Sequence, residues 1–153
     1  HDDAVYSHPD KDPSNVGGHV LWVAIADVAH FVKPGSALDK EARKRGNSTY
    51  FADRVVPMLP DRLSGDLCSI HEGIERPCLA VCMTIDKSGK KLKQTFHRAK
   101  IKSVASLNYE EVQKSVEGTV NEKVKPHFKN VIKPLYESYF CLKNLKKFAN
   151  HLI

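Results

Sequence analysis

The segment His19–Ala26 reads HVLWVAIA, eight residues of which only the first is polar. It is too continuous for an amphipathic helix and too short for a buried one, so it reads as a strand covered on both faces. Such a strand needs partners on either side. The polar stretch before it, PDKDPSNVGG at residues 9–18, is a turn or hairpin tip. Asp27 ends the strand. A second pair is clearer still: Cys78–Ile85 forms a strand, Asp86–Gly89 a turn, and Leu92–Ile101 the returning strand. The expected fold is α+β, a mixed but largely antiparallel sheet with helices packed on one face.

The helices are marked by their ends. Ser36 is an N-cap with Asp39 three residues on, and Gly46 terminates a helix over Ala37–Arg45. Asn108 with Glu111 is a second capping pattern, opening a short helix that Gly118 ends. A last helix, about Pro126–Leu152, places Phe128, Val131, Leu135, Tyr139, Leu142, Leu145, Ala149 and Leu152 in steps of three and four. That predicts one stripe facing a core. Pro134 should start or kink it. Asn47–Asp66 lacks a regular pattern and is dense in Pro, Asp and Arg, and a loop of this length inside a compact domain is uncommon and often functional.

Composition excludes several classes. The chain has 153 residues, 41% hydrophobic and 27% charged, ordinary for a soluble globular protein. No apolar run approaches the roughly 20 residues of a membrane span. Four cysteines in this length do not make a disulfide scaffold, so no disulfide-linked partner is expected and a reducing, cytoplasmic setting is. Both ends look cut: the chain starts on His1 and stops at Ile153 within a helical pattern. The expectation is one partial domain over residues 1–153, truncated at both ends. Net charge is +6, unevenly spread. Residues 1–86 hold 9 basic and 13 acidic side chains, net −4; residues 87–153 hold 15 and 5, net +10. An acidic front with a basic tail suits a metal site beside a polyanion-binding surface, and it equally suits lysine-rich solvated helices.

Few residues stand out as chemistry. Asp2 and Asp3 are hard oxygen donors of the kind Mg²⁺ prefers, although adjacent carboxylates on extended backbone point apart. The cysteines and the eight histidines lack zinc-site spacing and read as ordinary side chains, the cysteines small and buried. Asp27 and His30 could form an acid–base pair, but a helix or turn cap is the better reading of Asp27. Tyr50 and Phe51 are flanked by Arg45, Arg54 and Arg62. Rings beside guanidinium groups suit base stacking and phosphate contact. The alternative is a loop anchored by burying its aromatics.

Three stretches carry a family resemblance: HDDA at residues 1–4, HVLWVAIADVAHFVKPGSALDKEARKRGNSTYFADRVVPMLP at 19–60, and LCSI with ERPCLAVCMTID within 67–86. They resemble the RNB catalytic domain of the ribonuclease II and ribonuclease R exoribonucleases, with wording nearer the ribonuclease R side. The resemblance is close over about residues 1–117 and looser over the final helix.

The resemblance implies a 3′-to-5′ hydrolytic exoribonuclease that releases nucleoside 5′-monophosphates. It implies Mg²⁺ held by four aspartates, the last two matching Asp2 and Asp3, with the third immediately before His1. Tyr50 matches the tyrosine that packs on the 3′-terminal nucleotide. A later arginine and glutamate of the family have no counterpart up to Ile153. The expected site is then Asp2, Asp3 and Tyr50, with Arg45 and Arg54 on the RNA. The expected partner is single-stranded RNA, without a membrane or a small-molecule cofactor. The alternative is a non-catalytic RNA-binding fragment, inactive in isolation for want of the other ligands.

Overall fold

The computed structural model describes residues 2–150, with side chains through Leu145. His1, Leu152 and the side chain of Ala149 therefore lie outside the described residues. Strands β1 (Asp3–Pro9), β2 (His19–Ala26), β5 (Glu75–Ile85) and β6 (Lys91–Lys102) form an antiparallel sheet in the order β1-β2-β5-β6. Between β2 and β5 lie α1 (Val28–Phe31), α2 (Ala37–Arg45), the short hairpin β3 (Thr49–Tyr50) and β4 (Val55–Val56), and a π-helical turn at Arg62–Leu67. After β6 come α3 (Tyr109–Val116), α4 (Lys125–His127), a second π-helical turn at Phe128–Ile132, and α5 (Lys133–Asn150). The mixed α and β content is as expected. β2 is interior in the sheet order, as its apolar run requires, although Ile25 remains exposed.

The chain folds as two compact units. The first comprises residues 2–4, 25–79 and 98–104. Its core is Ala26, Leu63, Cys68 and Ile70, with Phe31, Val32, Leu38, Leu59 and Ile101 packed against it. The segment 60–70 owes its order to that core: Leu63 is buried, and the Cys68 amide donates to the Leu63 carbonyl at 2.7 Å. Asp66 and the Ser69 carbonyl accept from Arg76. Of the four cysteines expected to be buried, Cys68 and Cys78 are, and burial pushes both thiols up, whereas Cys82 and Cys141 are half-buried. Helix α2 has the predicted bounds. The Ser36 hydroxyl accepts from the Asp39 amide at 3.2 Å, and Gly46 turns the chain out at φ +79. The Asp39 carboxylate bonds the Gly35 amide at 2.8 Å, one residue before the cap.

The second unit comprises residues 5–24, 80–97 and 105–150. Asn15 closes the turn before β2 by donating to Asp10 at 2.9 Å and to the Ile85 carbonyl at 3.1 Å. Asp86 caps its own turn, accepting from Ser88 and Lys90. Helix α3 carries a full capping box between Asn108 and Glu111.

The predicted stripe of the last helix holds only in part. Phe128, Val131 and Leu135 are half-buried, but Tyr139, Leu142 and Leu145 are exposed. From Ile132 onward, Pro134 and Ser138 are buried and Leu135, Tyr136 and Cys141 half-buried. The turn at Gly89 lies against the backbone of this helix at the Cys141 carbonyl, where even a Cβ on the glycine would clash. The rings of Tyr139 and Phe140 turn outward. Helix α5 begins at Lys133, so Pro134 stands at its start, one of the two outcomes expected of it, and a π-helical turn precedes it.

Candidate active site

Asp2 and Asp3 lie where β1 begins, held by backbone. The Ala26 amide donates to the Asp2 carbonyl at 2.9 Å, which ties the pair to the end of β2. The next amide, of Asp27, donates to Pro77 at 3.0 Å. Both aspartates are exposed. Among the described residues, neither carboxylate has a hydrogen-bond or ion-pair partner. Two free, adjacent, oxygen-only donors fit Mg²⁺, which takes one or two carboxylates and completes its shell with water and phosphate. They do not make an all-protein cage: no group of three His, Cys, Asp or Glu side chains able to hold a metal occurs among the described residues.

Tyr50 belongs to the same unit. It sits on the β3–β4 hairpin, where Thr49 pairs with Val56 and Tyr50 with Val55. The Phe51 amide closes the tip on the Arg54 carbonyl at 2.8 Å. Tyr50 is 77% exposed and Phe51 50%, so the aromatics do not anchor the loop by burial. The Arg54 guanidinium lies 4.9 Å from the centroid of the Phe51 ring and bonds Asp53 at 3.0 Å. The hairpin thus offers two open rings and one cation stacked on the second.

The two predicted arginines differ. Arg54 stays at the tip among the aromatics. Arg45 is committed to the protein: its Nε donates to Glu41 at 2.9 Å and its Nη1 to the Pro57 carbonyl at 2.9 Å. The Arg45 bond holds the Glu41 carboxyl below its usual range.

Asp27 is buried and accepts from the His30 amide at 3.1 Å, so it is the cap and not half of an acid–base pair. It also accepts from Arg98 of β6. Sequence inspection missed that pairing, since 71 residues separate the partners. Lys100, also on β6, is 2.6 Å from Glu75. Two of the bases in the +10 half are therefore already matched by acids of the first half.

The model of the RNB domain matches residues 1–152 of this chain. The chain belongs to the RNB domain family. The match runs into the last helix, beyond the first 117 residues over which the sequence resemblance is close. Ribonuclease R of Vibrio parahaemolyticus is 44% identical over 146 residues, 95% of this chain and 17% of that protein. Two solved structures of Mycoplasma genitalium RNase R share the fold. The complex with ribose-methylated single-stranded RNA has a TM-score of 0.79 at 32% identity, covering 96% of this chain and 22% of that one. The complex with double-stranded RNA has a TM-score of 0.79 at 30% identity, covering 96% and 25%. This RNB chain spans about a sixth of the curated relative's length.

Proposed function

We propose that the protein is a Mg²⁺-dependent, hydrolytic 3′-to-5′ exoribonuclease of the cytoplasm that releases nucleoside 5′-monophosphates from single-stranded RNA. The observation that carries this reading is the pair of unpartnered carboxylates, Asp2 and Asp3, at the head of β1 in an RNB chain. The exposed rings of Tyr50 and Phe51 in the same unit support it, as does the naming of the relatives as ribonuclease R.

Asp2 and Asp3 are the residues that would hold Mg²⁺, which when bound supplies positive charge to polarise the scissile phosphate. The chain's own residues do the rest. Tyr50 offers a ring face to the terminal base and limits where its phosphate can sit. A misplacement of about 1 Å can cost on the order of a hundredfold in rate, so this positioning matters as much as charge. Phe51 and Arg54 extend the platform with a second face and a cation near the backbone. Stacking of this kind reads no base edge, so little sequence preference is expected.

The test uses the full-length protein and a 5′-labelled oligoribonucleotide with Mg²⁺. The parent should shorten it stepwise, and the released product should be a 5′-monophosphate. Asp3→Asn should abolish shortening while leaving RNA affinity nearly intact. Cleavage by Asp3→Asn at the parental rate would remove Asp3 from the chemistry. A second reading, RNA binding without cleavage, is favoured for residues 1–153 on their own. Among the described residues no third donor joins the two aspartates. Mg²⁺-dependent release of mononucleotides by that polypeptide alone would overturn the second reading.

A further inference from the structure

We infer that Arg45 is a positioning residue for Tyr50 and not a ligand of the RNA backbone. The inference rests on the exoribonuclease reading above, and it concerns how the hairpin that carries Tyr50 is held.

The hairpin has no core of its own. Thr49, Tyr50, Val55 and Val56 are all exposed, and each strand is two residues long. Two-stranded ribbons of this size are marginal in water. Its orientation must come from its base. Among the described residues, two side-chain bonds cross that base. The Met58 amide donates to the Ser48 hydroxyl at 3.0 Å, and Arg45 donates to the Pro57 carbonyl at 2.9 Å. Pro57 directly follows Val56, the partner of Thr49. The other branch of the guanidinium is fixed on Glu41, one helical turn back along α2.

Leu38 and Leu59 pack on the core below the hairpin, but among the described residues no apolar contact reaches its exposed strands. An open groove of about 330 Å³ lies here, with Leu38 of α2 and Pro57, Met58 and Leu59 among its walls. The guanidinium is what links the last turn of α2 to the strand leaving the hairpin. Gly46, at φ +79, lets the chain leave α2 and enter the hairpin one residue after Arg45. Arg45 thus acts on both arms: through Gly46 into β3, and through Pro57 out of β4. A planar fork with donors on two branches suits that bridge, and a lysine ammonium does not.

A phosphate ligand and a positioning clamp predict different numbers. Removing a phosphate contact lowers the slope of log Kd against log salt by about one. Removing a clamp leaves the slope alone and lowers kcat. We expect Arg45→Met to keep the parental salt slope on an oligoribonucleotide and to lose about tenfold or more in kcat. Arg45→Lys should lose kcat as well, although it keeps the charge. In a Tyr50→Ala background, Arg45→Met should cause little further loss, because the group it positions is gone. A purely global effect on stability would be equally large in both backgrounds. A fall in slope of about one, full kcat in Arg45→Lys, or an undiminished loss in the Tyr50→Ala background would each overturn the inference. Trypsin cleavage after Arg54 reads the clamp without RNA, and it should be faster in Arg45→Met than in the parent. If the parent does not shorten RNA, the exoribonuclease reading fails on its own terms. Equal trypsin rates would then overturn the clamp, and a faster rate in the variant would sustain it.

Discussion

Arg98 of β6 reaches the buried carboxylate of Asp27 with two nitrogens, Nε at 3.1 Å from Oδ2 and Nη2 at 3.3 Å from Oδ1. Asp27 is only 8% exposed, and its third bond is to the His30 amide. One carboxylate therefore caps α1 and receives the edge strand, while its own amide ties to Pro77 of β5. The residue before it, Ala26, binds the backbone of Asp2. The register that presents Asp2 and Asp3 is thus set one residue from this pair.

Losing Arg98 leaves the buried carboxylate with one donor. Arg98 is itself largely exposed, so solvent softens the loss, and Arg98→Met should destabilise by about 1–2 kcal/mol. Asp27→Ala removes the cap as well and should cost about 2–3 kcal/mol. With Asp27 already gone, Arg98→Met should cost almost nothing further. Urea unfolding of the two single variants and the double variant measures that coupling. Additive losses would mean that the pair does not act as a unit.

Tyr50 gives a sharper separation of structure from function. Its ring is 77% exposed, and its hydroxyl has no partner among the described residues. Nothing in the fold depends on it. Tyr50→Ala should leave unfolding free energy within about 0.5 kcal/mol of the parent. On RNA it should lower kcat/KM by about tenfold or more, since stacking is worth about 1–3 kcal/mol per base. Tyr50→Phe keeps the ring face and should retain most activity. A parental rate in Tyr50→Ala, measured on an oligoribonucleotide, would take the residue out of substrate positioning.

Local structure was legible in the sequence wherever one residue type answers one local need. Ser36, Gly46, Asn108 and Gly118 mark helix ends because caps are short-range chemistry. The β5–β6 hairpin was found for the same reason, with Asp86 bonding its own turn, though both strands run further than their apolar cores suggested. The hairpin under Tyr50 was not legible. Its four strand residues are exposed, so no burial pattern marks them. The role of Arg45 was hidden too, because its second partner is a backbone carbonyl twelve residues on. The stripe of the last helix was legible only in part. Ser138 is buried and Cys141 half-buried, whereas Tyr139, Leu142 and Leu145 of the expected stripe are exposed.

Acid should weaken α2 in a defined window. The Gly35 amide, and then Arg43, hold the Asp39 carboxyl below its ordinary value of 3.8. A group depressed in the fold stabilises it above the unfolded value and loses that stabilisation as pH falls through the folded one. Asp39→Asn should therefore be less stable than the parent near neutral pH. The difference should shrink once pH drops below 3.8 and vanish below the folded value. Thermal midpoints of parent and variant across that range provide the check. A gap that persists in strong acid would assign Asp39 a role other than its charge.

Gly89 makes the most demanding local prediction. It sits at φ +88, in the left-handed region that L side chains rarely adopt, and it closes the β5–β6 turn on Asp86 at 3.0 Å. A Cβ there would fall inside contact distance of the Cys141 carbonyl on α5. Backbone atoms cannot step aside as a flexible side chain can. Gly89→Ala thus meets two penalties at once, strain of about 1 kcal/mol from the positive φ and displacement of the helix. The expected loss is about 2 kcal/mol or more. The two penalties are separable. Gly118 also has a positive φ, at +106, but a Cβ there meets open space. Gly118→Ala should therefore show the conformational strain alone, about 1 kcal/mol. Denaturant unfolding of both variants isolates the contact as the difference between them. Equal losses would mean that α5 does not bear on the turn as closely as the structure places it.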